Sequence, residues 1–148
     1  MKHRSRAAMV MFALISPGFA QQGEGPRFIN APGRADDLPY SHAVLAGDTL
    51  YLAGMIGIDP QTGRPPAEVE EEIKLLMSTL EQRLKLAGFS IGDLVSVQVF
   101  CPDLSLYDLF NAAYRTYFKD RFPARAFIGS GPLLRGGRFE LTAIAIRR

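Results

Sequence analysis

Phe139-Glu-Leu-Thr-Ala-Ile-Ala-Ile146 lies within a β-strand read from Arg138 to Arg147. Glu140, Thr142, Ile144 and Ile146 share one face, and Leu141, Ala143 and Ala145 share the other. Both faces carry apolar residues, so both need cover. Working back along the chain, Val69, Ile73, Leu76, Met77, Leu80, Leu84 and Leu86 recur at helical spacing and predict a helix over residues 67–87. Glu68, Glu70, Glu71 and Glu72 crowd its first turns, where the macrodipole favours acids, and Gly88 supplies a stop. Ser105 followed by Asp108 predicts the cap of a second helix carrying Leu106, Leu109, Phe110, Ala113, Tyr114, Tyr117 and Phe118. That helix ends before Pro123. Residues 39–45 and 50–56 form a hairpin pattern around Gly47-Asp48. Residues 94–100 read as a strand with Val95, Val97 and Val99 on one face, and 125–129 as a short strand.

The order ββαβαββ predicts an α+β single domain, one mixed sheet with both helices packed on one face. Two helices cover only one face of such a sheet. The second apolar face of the last strand then calls for association, so the expectation is an obligate homo-oligomer with sites between subunits.

The chain begins with Lys2, Arg4 and Arg6, an uncharged run from Ala7 to Ile15, then Pro17-Gly18-Phe19-Ala20. This is the pattern of a signal peptide over residues 1–20, with cleavage after Ala20 and a periplasmic or secreted product. An uncleaved anchor and a buried N-terminal helix are the competing readings. The apolar run is too short to span ~30 Å of hydrocarbon. The whole chain has 17 basic and 15 acidic residues; without the leader 14 face 15, a formal charge of −1. The remaining basic residues are scattered singly, which argues against nucleic acid or an anionic membrane surface as a partner. Residues 21–37 are rich in Gly, Pro and charge and read as an extended lead-in, leaving 38–148 as the domain. Cys101 is the only cysteine, so no intrachain disulfide forms, and two histidines without a Cys/His cluster argue against a zinc site.

Pro123-Ala-Arg125 is the strongest chemical signal. A guanidinium entering a strand just after a helix–proline junction is costly to bury unless an anion pairs with it. A small carboxylate matches its planar fork in two parallel hydrogen bonds. A surface arginine at a strand start is the plainer reading.

Several motifs stand together in one order: Pro39-Tyr-Ser-His-Ala-Val44, Leu50-Tyr-Leu-Ala-Gly54, Asp59-Pro-Gln-Thr-Gly63, Asn111-Ala-Ala-Tyr114, Phe122-Pro-Ala-Arg125 and Phe139-Glu-Leu-Thr-Ala-Ile-Ala145. In this the chain resembles the RidA/YjgF family of enamine/imine deaminases, over roughly residue 28 to the C-terminus. The resemblance implies a chorismate-mutase-like fold, a homotrimer with three clefts between subunits, and no metal or organic cofactor. It implies hydrolysis of 2-aminoacrylate and other 2-imino acids to 2-keto acids and ammonia. By position it makes Arg125 the grip on the substrate carboxylate. It also places Tyr40, Gly54 and Asn111 around the pocket, with backbone near Phe127 orienting the substrate. For Tyr40 simple packing, for Asn111 a helix-to-loop hydrogen bond, and for Gly54 a strand bend are the plainer roles.

Two departures from the family pattern bear on the chemistry. Phe127 stands where members often carry cysteine, and Thr142 stands where they carry the glutamate that holds the attacking water. A threonine hydroxyl hydrogen-bonds water but takes no proton at neutral pH. Glu140 lies on the same strand face, about 7 Å away, so either Thr142 or Glu140 holds that water, and a rim salt bridge is the plainer role for Glu140. A non-catalytic binder of small carboxylates or keto acids, using the same clefts, is the alternative reading.

Overall fold

Helical spacing of apolar residues produces α1, Val69–Leu86, which buries Ile73, Leu76, Met77, Leu80 and Leu84. In this computed structural model residues 25–33, 37–147 are described, so the leader over 1–20 lies outside the described residues. The strands are β1 (Arg27–Ile29), β2 (Ala43–Ala46), β3 (Thr49–Ile56), β4 (Leu94–Cys101), β5 (Ala124–Gly129) and β6 (Glu140–Ile146), and α2 spans Tyr107–Arg115. They form one sheet in the order β1-β2-β3-β6-β4-β5. All pairs are antiparallel except β4–β5, which run parallel because α2 carries the chain back between them. The mixed sheet with two helices is the expected architecture. The lead-in is not all loop: Arg27, Phe28 and Ile29 pair with Leu45, Val44 and Ala43 as an edge strand.

The core lies between the helices and one sheet face. Leu50, Leu52, Val97, Val99, Leu141, Ala143 and Ala145 meet the buried stripe of α1 and Phe110 and Tyr114 of α2. Each fully buried aliphatic or aromatic side chain contributes about 1.5–3 kcal/mol. On the other face Tyr51 and Ile146 are exposed, and Val44, Phe100, Ile128 and Ile144 are half-covered. The register sets Val44 beside Tyr51 and Tyr51 beside Ile144, so this apolar surface runs across strands.

Three local readings are corrected. The pairing of β4 with β6 shifts register between Leu94 and Ser96, which turns Leu94 into the core and leaves Val95 exposed. Strict alternation had put Val95 with Val97, but an irregularity of this kind changes the parity on its far side. The cap before α2 is Asp103, not Ser105: its carboxylate accepts from the Ser105 N–H at 2.9 Å and starts a 3-10 turn, Leu104–Leu106. The helix proper stops at Arg115, so Tyr117 and Phe118 follow it in turns.

A buried ion pair fastens the first turn of α1 to the entry of β6. Glu72 is fully buried and its Oε2 meets Arg138 Nε at 2.5 Å. Its Oε1 accepts from the backbone N–H groups of Arg138 (2.7 Å) and Phe139 (3.3 Å). The Arg138 fork also donates to the carbonyls of Pro66 and Ala67. Glu72→Ala strands this guanidinium and two backbone donors, so urea denaturation should show a loss of about 3 kcal/mol. A loss below about 1 kcal/mol would mean that water replaces the carboxylate freely.

Candidate functional site

β5 is the outermost strand, and its register sets Arg125 beside Val97 and Phe127 beside Val99. Val97 and Val99 lie under the helices, so Arg125 and Phe127 project toward α2. There the Arg125 guanidinium sits among four rings: 4.8 Å from the centre of Tyr114, 5.8 Å from Phe110 and Phe127, and 5.9 Å from Tyr107. Its Nη2 donates to Asn111 Oδ1 at 2.5 Å. The ion pairs among the described residues are Lys74–Glu71 and Arg138–Glu72, so no carboxylate there neutralises Arg125. Ring faces attract a cation by about 0.5–2 kcal/mol but leave its charge in place. The side chain is thus held in position, half-buried and still able to take an anion. A cavity of about 260 Å³ opens beside it, lined by Tyr107, Asn111, Tyr114, Arg115, Phe122 and Pro123 together with Arg125. Burial pushes the Tyr114 phenol up to about 12, against the opposing pull of Arg125, so its hydroxyl keeps its proton.

A second group lies on the uncovered sheet face. Glu140 pairs with Phe100 and Ile56, and Thr142 with Gln98, positions that alternate with the buried Val97 and Val99. The register of β3 against β6 breaks between Leu52 and Met55, so Ala53 and Gly54 bulge out of the ladder. Thr142 Oγ1 donates its proton to the Leu52 carbonyl at 2.7 Å. Only its lone pairs remain for a water. The Glu140 carboxylate lies over Gly54, where a Cβ would collide with Oε1. Glycine at 54 therefore gives that carboxylate its room. Glu140 has no hydrogen-bond or ion-pair partner among the described residues.

Tyr40 stands edge-on to His42, with ring centres 6.1 Å apart. Beside it is a residue that sequence reasoning missed. Arg83 of α1 donates to the carbonyls of Ala53 and Gly54, each at 3.4 Å, and feels the field of Tyr40. Its signal was present in the sequence: position 83 falls three after Leu80 and seven after Leu76, on the apolar stripe. The structure thus gathers Arg125, Asn111 and Phe127 into one group. Gly54, Glu140 and Thr142 form another, with Tyr40 and Arg83 at its edge. One chain keeps the two groups on opposite faces of its sheet.

The sequence profile described as Endoribonuclease L-PSP matches residues 29–147. This chain belongs to that family, the RidA/YjgF family. Among RidA/YjgF relatives, the human 2-iminobutanoate/2-iminopropanoate deaminase is 38% identical over 118 residues, 79% of this chain and 85% of that protein. The Escherichia coli K12 protein of the same name is 32% identical over 122 residues, 80% of this chain and 94% of its own. Solved RidA/YjgF structures agree with the fold. The E. coli YjgF gene product superposes with a TM-score of 0.72 at 32% identity, covering 80% of this chain and 94% of its own. E. coli TdcF with bound serine gives 0.72 at 30% identity, with the same coverage.

Proposed function

We propose that this protein hydrolyses 2-imino acids to 2-keto acids and ammonia, in clefts formed where the subunits of a homotrimer meet. The observation that carries the reading is the pair of complementary groups that one chain cannot use together. Among the described residues, no carboxylate neutralises the guanidinium on the helix side of the edge strand, and no cation answers the carboxylate on the uncovered face. A second copy docked on that face brings its neighbour's Arg125 toward Glu140 and covers the apolar surface in the same step. Relatives named as imine deaminases, and a relative that holds serine, support a small carboxylate-bearing ligand.

In this reading Arg125 grips the substrate carboxylate bidentately, while Asn111 and the surrounding rings fix the fork. Tyr40, Gly54 and the Phe127 backbone border the substrate. Thr142 accepts a hydrogen bond from the attacking water, and Glu140 takes its proton as oxygen adds to the imine carbon. The resulting carbinolamine receives that proton on nitrogen from Glu140. The C–N bond then breaks as Glu140 carries the hydroxyl proton to the departing nitrogen, so the carbonyl forms and ammonia leaves with the keto acid. The water-holding carboxylate has moved two residues along the same strand face from the position usual in the family.

The test pairs activity with assembly. A 2-imino acid generated in place by an amino-acid oxidase should release ammonia faster in the presence of this protein, and sedimentation should give the mass of three chains. Keto-acid binding without faster ammonia release would select a binder instead. A monomer with full activity would remove the shared cleft.

A further inference from the structure

A basic residue in the last turn of a helix ordinarily reaches into water, where it complements the carbonyl end. Lys85 does so, being exposed. Arg83 turns inward and is half-buried, and its two hydrogen bonds are long contacts to the Ala53 and Gly54 carbonyls through Nη1 alone. A guanidinium carries five N–H donors, so most of this fork is unused. Burial lowers its pKa from the usual value, and no carboxylate among the described residues answers its charge. Among the described residues the other half-buried arginines are Arg138, paired with Glu72, and Arg125, which the hydrolysis reading already assigns to the first carboxylate.

A cavity of about 670 Å³ opens at Arg83, lined by Pro32, His42, Thr79, Lys85 and Leu86 among others, with no acidic side chain among the described residues of its wall. Its size falls within the range of small-molecule sites. Two cations beside apolar Pro32 and Leu86 suit a carboxylate on a short carbon stem. Position ties this cavity to the cleft. Glu140 lies over Gly54 on the uncovered face, and Arg83 reaches the carbonyl of the same residue from α1, at the break in the β3–β6 ladder.

We propose that Arg83 receives a second carboxylate, and that the preferred substrates are 2-imino acids with an acidic side chain. This rests on the imine-hydrolysis reading and names its substrate class. The decisive comparison uses two five-carbon keto acids that differ only at the far end, 2-oxoglutarate and 2-oxopentanoate. Titration calorimetry on the assembled protein should show 2-oxoglutarate binding about tenfold tighter or better, the size of one net charged hydrogen-bonded contact. Arg83→Gln should bring the ratio of the two affinities close to one, and Arg83→Lys should keep part of it. A packing role for Arg83 would weaken both ligands alike.

Equal affinities in the unmodified protein, no binding of either acid, or a ratio unmoved by Arg83→Gln would overturn the proposal. The corresponding pair of imines should show the same ratio in kcat/KM. Turnover of neutral imines without acidic preference would sink the Arg83 assignment and leave hydrolysis standing. Arg83-dependent binding of 2-oxoglutarate without turnover of any imine would sink hydrolysis and leave the site.

Discussion

Arg125→Ala should reduce kcat/KM for any 2-imino acid by about 10³-fold, since truncating one member of a desolvated charge pair costs about 2–5 kcal/mol or more and about 1.4 kcal/mol is a factor of ten. The change should leave the fold intact, because the guanidinium pairs with no carboxylate of the described residues and its loss exposes no buried opposite charge. Arg125→Lys should fall in between: the charge remains, but the fork that matches a carboxylate is gone, and a point charge gains less from the encircling rings. Ammonia release measured on a freshly generated imine reads all three proteins directly. Survival of turnover in Arg125→Ala would show that the carboxylate is held elsewhere.

Glu140→Gln should lower kcat by about 10²–10⁴-fold while keto-acid affinity changes little, because proton transfer is lost and the binding groups stay. The amide is nearly isosteric, so the space over Gly54 remains filled. Thr142→Glu in that background places a carboxylate at the position usual in the family, facing the same side as residue 140, and should recover at least part of the lost rate. An undiminished kcat in Glu140→Gln would return the water to Thr142 or to simple positioning. The two experiments together separate binding from chemistry: Arg125 variants raise KM and lower kcat/KM, whereas Glu140→Gln acts on kcat.

The regular parts of this fold were readable from pattern. The stripe of α1 and the two-faced alternation of β6 each state a period and a burial direction, and together they require one covered and one uncovered sheet face. What pattern could not carry were the irregularities. The register shift after Leu94 and the bulge at Ala53-Gly54 arise from pairing between strands distant in sequence, so no local window contains them. The Asp103 cap was missed for a different reason, since Ser105 offers an equally good local signature two residues on. Among the site residues, Arg125 announced itself through Pro123 and the resemblance to a family. Its separation from Glu140 by the thickness of the sheet depends on which face each strand presents, and only the assembled register gives that. Arg83 lay in plain view as a cation on an apolar stripe, but its meaning depends on carbonyls thirty positions earlier.

The tie between Glu72 and Arg138 bears on how this sequence can drift over generations. Arg138 stands two places before Glu140, so the anchor of the last strand and the proposed proton acceptor share one short piece of backbone. Neither member of the pair can be replaced alone without leaving an uncompensated charge or stranded amides, which makes single-step changes at 72 or 138 disfavoured and paired ones permissible. Descendants that explore new reactivity at 140 and 142 will therefore do so against a fixed hinge, with variation at 72 and 138 arriving jointly or not at all.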